Sequence, residues 1–147
     1  MKPFTALLFS AALLVAPASA NEDIDISGTW NFTAKLRMPC EFTGQAKLAP
    51  SADTSVSDYT CEMTARQYCP SLDIDYTVRQ TCKVRNTRGQ VWVQATIEEF
   101  LTGPETGNYY PDNFNLSLHS SNEMVGALIS SGNARPAVWT KTEGSIS

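Results

Sequence analysis

Along Ile24 to Leu36 every second residue is apolar or small (Ile24, Ile26, Gly28, Trp30, Phe32, Ala34, Leu36), and the residues between them are Asp25, Ser27, Thr29, Asn31, Thr33 and Lys35. Side chains on an extended chain alternate between two faces, so thirteen residues of this period predict a long strand with one buried side. The same alternation returns in Cys40, Phe42, Gly44, Ala46, Leu48, in Tyr59, Cys61, Met63, Ala65, and in Tyr76, Val78, Gln80, Cys82, Val84. It continues through Val91, Val93, Ala95, Ile97 and through Phe114, Leu116, Leu118, with two weaker runs at Met124 to Ile129 and Ala134 to Thr142. That makes eight strands and no sustained helical spacing.

The segments between these runs are rich in turn formers: Met38-Pro39, Pro50 to Thr54, Pro70 to Asp73, Asn86 to Gly89, Thr102 to Asp112, Ser120 to Asn122 and Ser131 to Asn133. Short connections favour antiparallel neighbours. The predicted fold is therefore all-β, an eight-stranded antiparallel up-and-down barrel whose interior is just wide enough for side chains or one small ligand. A two-sheet sandwich is the alternative arrangement of the same strands.

The first twenty residues read as a cleavable export signal, with Lys2 ahead of the apolar stretch Leu7 to Ala16 and an A-x-A site at Ala18-Ser19-Ala20. The apolar stretch is short for a bilayer span, and no second one follows. A mature chain of about 127 residues from Asn21 onward is one domain's worth, 21–147, in a secreted or periplasmic setting. Setting Lys2 aside leaves ten basic against fifteen acidic residues. That balance argues against nucleic acid and anionic membrane surfaces as partners. The basic residues Arg79, Lys83, Arg85 and Arg88 read as a solvated sheet face, although an acidic protein partner could use that stripe.

In an oxidising compartment four cysteines imply two disulfides. Cys40, Cys61, Cys69 and Cys82 contain no C-x-x-C, and the chain has one histidine, so no four-ligand zinc motif can be written. If the chain turns a hairpin near Ser71 and Leu72, Cys61 lies opposite Cys82 on the same face. Cys40 follows the first turn and Cys69 opens the third, and in an up-and-down barrel those turns share one end. The pairing Cys40–Cys69 with Cys61–Cys82 is thus favoured, conditional on the strand register. Each bridge contributes about 3 to 4 kcal/mol on the loop-entropy model, less than additively because the loops overlap.

The end carrying the first, third, fifth and seventh turns includes the long segment Thr102 to Asp112, and it is the candidate mouth. Tyr109 and Tyr110 offer stacking surface with polar tips there. The loop either binds a ligand or crosses the barrel end to cover its interior. A small hydrophobic ligand held inside would touch Trp30, Phe32, Tyr59, Tyr76, Gln80 and Phe114, in space left by Gly28, Ala34, Gly44, Ala46 and Gly126.

Catalytic motifs are missing: no G-x-S-x-G elbow, phosphate loop or H-E-x-x-H occurs. His119 falls out of phase with Leu116 and Leu118 and should face solvent. Glu98 and Glu99 end the fifth strand near the mouth, with Glu105 and Asp112 beyond them, but neighbours on a strand point to opposite faces and cannot share acid and base roles. The same four acids lack an EF-hand or a glycine-aspartate repeat for calcium. The expectation is a non-enzyme without cofactor or metal.

Ile26-Ser27-Gly28-Thr29-Trp30 resembles the G-x-W element that opens lipocalins, avidins and other calycin-type barrels, in which the tryptophan closes one end. The resemblance implies a barrel holding a small hydrophobic or amphipathic ligand, with a basic residue from near the chain end lying over that tryptophan. Lys141 and Arg135 are the candidates for that residue; the avidin biotin-site pattern is not recognisable. The opening also resembles small periplasmic inhibitors of bacterial metalloproteases, whose barrels start S-G-x-W and whose N-terminal segment enters the protease cleft. This chain differs from them in its length, two extra cysteines and the acidic leader Asn21 to Asp25. Three functions follow as expectations: a ligand carrier, a protein-binding module such as a hydrolase inhibitor, or a structural envelope protein with a solid barrel.

Overall fold

A computed structural model describes residues 24–37, 40–105 and 108–142. The export signal expected over residues 1–20 lies outside them. Eight strands form one closed antiparallel barrel in sequence order: β1 (Gly28–Lys35), β2 (Glu41–Pro50), β3 (Tyr59–Cys69), β4 (Ile74–Thr87), β5 (Gln90–Thr102), β6 (Asn113–Ser120), β7 (Glu123–Ser130) and β8 (Asn133–Lys141). β8 returns to β1 through five pairs, from Trp30↔Lys141 to Ala34↔Ala137. That ladder stops one residue short of Pro136, which has no N–H to offer. Closure removes the free edges that an open eight-stranded sheet would expose.

The period-two pattern maps onto the wall as expected. Even-numbered apolar residues of β1, β2, β4, β6 and β7, and odd-numbered ones of β3, β5 and β8, form the buried core. Its middle layer is aromatic: Phe32 stacks on Trp139 with ring centroids 5.1 Å apart and meets Phe114 at 5.2 Å and Phe42 at 5.8 Å, while Phe114 meets Trp139 edge-on at 5.0 Å. Offset and edge-to-face contacts at these separations are the favourable ones. Two of the glycines expected to leave room, Gly44 and Gly126, do not. A Cβ on Gly44 would clash with the edge of the Phe32 ring, and one on Gly126 would meet the β6 backbone at Asn115 and Leu116. Gly44 is small because Phe32 is large.

Both disulfides have the favoured pairing. Cys61 lies directly opposite Cys82 in the β3–β4 ladder, with Cα atoms 4.8 Å apart, on the inner face. Cys40 and Cys69, 4.2 Å apart, join the start of β2 to the end of β3. The hairpin between β3 and β4 turns through a short 3-10 segment, Pro70–Leu72, and Asp73 in the left-handed region at φ 53°.

Two expectations are corrected. The first strand begins at Gly28 rather than Ile24, because Gly28 adopts φ 118° and swings the preceding residues under the barrel, where Ile26 is fully buried. β5 runs past Glu99 to Thr102, and register shifts against β4 interrupt the alternation. Glu99 pairs with Arg79 while Ile97 pairs with Gln80, so Glu98 is the extra residue of a bulge. Both acids consequently face outward, Glu98 accepting from Thr81 Oγ1 at 2.7 Å and Glu99 from Arg79 Nε at 3.3 Å. Their side chains do not point to opposite faces.

Candidate functional site

The barrel has two unlike ends. At the end where β1 begins, the Trp30 indole N–H donates to the Ile26 carbonyl at 2.9 Å, and Lys141 Nζ lies 5.9 Å from the centroid of the Trp30 ring. Trp30↔Lys141 is itself a ladder pair. Of the two basic candidates for covering the tryptophan, the register therefore selects Lys141. Tyr59 also belongs to this end: its hydroxyl donates to Asp25 and accepts from the Ile26 N–H, each at 3.3 Å. Burial is the first cause raising the Tyr59 phenol above its ordinary pKa, and the Ser27 backbone N–H is the first cause lowering the Asp25 carboxyl below its own.

The opposite end is the mouth. β5 and β6 pair over only four positions, Gln90↔Ser117 to Val93↔Phe114, and the described residues after β5, 103–105 and 108–112, lie at this barrel end. Gly103, at φ 88°, starts this return with its backbone close against the Tyr76 ring. Tyr109 then inserts and is buried, its ring 5.4 Å from Tyr76 and 6.0 Å from Phe100. Its hydroxyl donates to Asp112 Oδ2 at 2.7 Å. The fully buried Gln80 donates from Nε2 to the same oxygen at 2.7 Å and accepts the Asp112 N–H through Oε1 at 2.9 Å.

This trio explains why Gln80 can occupy an otherwise apolar inward row: a buried amide is tolerable when its donor and acceptor are both used. Burial pushes the Asp112 carboxyl up to about 6, against the opposing pull of the Tyr109 and Gln80 hydrogen bonds. Burial, followed by the neighbouring Asp112 charge, raises the Tyr109 phenol well above its ordinary value, so the tyrosine remains a proton donor in this contact.

Beside Tyr109 the mouth holds a depression of about 220 Å³. Its apolar walls are Leu36, Phe42 and Leu128, and its polar walls include Gln67, Asn108, Asn133 and Arg135. Arg135 is opposite Leu128 in the β7–β8 ladder, in phase with the inward residues Ala137 and Trp139. It is half-buried, and its side chain has no ion pair or hydrogen bond among the described residues. Tyr110 is half exposed on the rim.

The residues expected to share one ligand are thus divided among three levels. Trp30 and Tyr59 are at the closed end; Phe32 and Phe114 pack against each other in the middle; Gln80, Tyr76, Tyr109 and Tyr110 gather at the mouth. Only Tyr109 and Tyr110 line the depression itself. Sequence reasoning passed over Leu36, Phe42, Leu128 and the mouth placement of Arg135. The phase of Arg135 within the β8 alternation was the available signal.

A larger hollow of about 690 Å³ lies on the outer wall, where Lys47, Glu62, Thr81 and Lys83 project from β2, β3 and β4. The basic stripe is a solvated face, with Arg79 paired to Glu99 and Arg85 donating to the Ser55 and Val56 carbonyls at 2.8 Å. His119 faces solvent 3.6 Å from Glu123. Among the described residues no group of three or more His, Cys, Asp or Glu side chains could hold a metal ion, and no helix is long and apolar enough to cross a membrane. No protein-family model matches the chain, and no curated protein matches it.

Proposed function

We propose that the mature protein is an exported, non-catalytic barrel of the calycin type that binds a small hydrophobic or amphipathic ligand at its mouth. The observation that carries this reading is the depression beside Tyr109, with aliphatic and aromatic walls, a few convergent polar groups and a half-exposed tyrosine at its rim. Ligand sites combine these ingredients, usually at about 300–1,000 Å³. At about 220 Å³ this one suits a small molecule or the end of a longer one. The calycin assignment draws support from Lys141 over Trp30, the arrangement that the G-x-W resemblance implies.

The packed aromatic layer of Phe32, Phe42, Phe114 and Trp139 favours a second reading, a protein-binding module such as a periplasmic hydrolase inhibitor, because it leaves the barrel centre to side chains. Native mass spectrometry of the protein isolated from its host, with titration of a hydrophobic fluorescent dye, separates the two. A co-purified small mass, or dye binding at one site that shifts amide NMR signals of Leu36, Tyr110 and Asn133, is the expected result. Absence of both overturns the ligand reading in favour of the module.

A further inference from the structure

Resting on the reading of the mouth as a ligand site, we infer that Arg135 anchors the carboxylate of a monoanionic amphipathic ligand whose apolar end lies against Leu36, Phe42 and Leu128. Three observations converge. First, the guanidinium is on the inward face of β8 at the mouth and lines the depression directly. An arginine in that row displaces an apolar residue from the barrel wall and is half-buried, a position that costs free energy unless the charge meets a partner.

Second, the partner is not supplied by the described protein. Elsewhere on the barrel Arg66 holds Asp75 bidentately at 3.0 Å, Arg79 holds Glu99, and Lys141 covers Trp30 at the far end. The other charged group on the depression, Asp112, takes its hydrogen bonds from Tyr109 and Gln80. Among the described residues the Arg135 side chain has no such engagement.

Third, the surroundings match a head and a tail. Asn108 and Asn133 line the same depression as further polar groups, while Leu36, Phe42 and Leu128 form the apolar side. A planar guanidinium fork matches a carboxylate in bidentate fashion. The small volume and single cation fit one negative charge better than a doubly charged phosphate.

The test is calorimetric titration of the mature, disulfide-intact protein with octanoate, octanol and octylammonium, repeated with Arg135→Gln and Arg135→Lys. The inference expects octanoate to bind at least about tenfold more tightly than octylammonium. It expects Arg135→Gln to cut octanoate affinity about tenfold or more while leaving octanol unchanged, and Arg135→Lys to keep part of the preference. Unchanged thermal melting of the Gln variant shows that the barrel is intact. If all three amphiphiles bind alike and Arg135→Gln alters none of them, the anchor is overturned and the ligand site stands. If none binds the wild-type protein, the inference falls together with the reading of the mouth.

Discussion

The closed end and the mouth solve the same problem, capping a greasy cylinder, by opposite means. At the closed end one aromatic side chain does the sealing: Trp30 is fully buried, its N–H satisfied by a carbonyl four residues earlier and its ring covered by Lys141. At the mouth a returning loop brings a polar trio inside, with Asp112 gripping Gln80 from 32 residues away and Tyr109 lying among Tyr76 and Phe100. The first cap is built on one buried indole, with the Tyr59–Asp25 contact at its edge. The second is polar and assembled from distant segments, and beside it remains a hollow whose guanidinium has no partner among the described residues. A cap that buries a carboxylate gains a stability that depends on pH, whereas an indole does not titrate.

Three measurements press on that contrast. The largest effect belongs to Trp30→Ala, which removes the seal and leaves a cavity, at a cost of about 3–5 kcal/mol in urea unfolding at pH 5 and pH 7 alike. A cost that changes with pH, or that vanishes, breaks the account of the closed end as an apolar plug.

Next comes Asp112→Asn. With a folded-state pKa of about 6 against an ordinary 3.8, Asp112 retains in the folded barrel a proton that the unfolded chain releases. Stability is therefore fullest below pH about 4, falls as pH rises to about 6, and stays lower above that by on the order of 3 kcal/mol. Asparagine keeps a carbonyl acceptor for Tyr109 and Gln80 without the charge. The difference between wild type and Asp112→Asn should thus slope across pH 4 to 6 and flatten above it, with the variant equal or more stable at pH 7. A flat difference across that range removes the polar cap from the account.

The smallest effect is that of Lys141→Ala. A cation over an indole at a partly exposed site contributes about 0.5–1 kcal/mol, so a loss in this range, reduced by salt, sharpens the assignment of Lys141 to the closed end. A loss of several kcal/mol would instead make the lysine part of the barrel's main seal.

Much of this fold was legible because alternation is a backbone property: once residues at Cys61 and Cys82 share a face and a hairpin lies midway, their opposition follows, and the structure pairs them. The same reasoning failed where the backbone departs from regular pleating. Gly28 bends the chain before the first strand, and the bulge at Glu98 turns two neighbouring acids to one face. Neither departure has a period to betray it. The candidate site was less legible still. Trp30, Phe32 and Phe114 carry the inward phase of lining residues, but inward phase alone cannot separate a wall around a hollow from a packed centre; that depends on whether ring volumes such as Phe32 fill the space left by Gly44.

What the chain's own order of residues determined is the set of eight antiparallel strands and the favoured pairing of its two sulfur bridges, since these follow from a two-residue period, turn spacing and the reach of a disulfide. What only the tertiary structure decided is the character of the two ends. Lys141 meets Trp30 only when β8 closes on β1, and Asp112 meets Gln80 only when the loop after β5 folds back across the mouth. Contacts between residues so far apart in sequence are set by closure and packing in three dimensions, which no local pattern encodes.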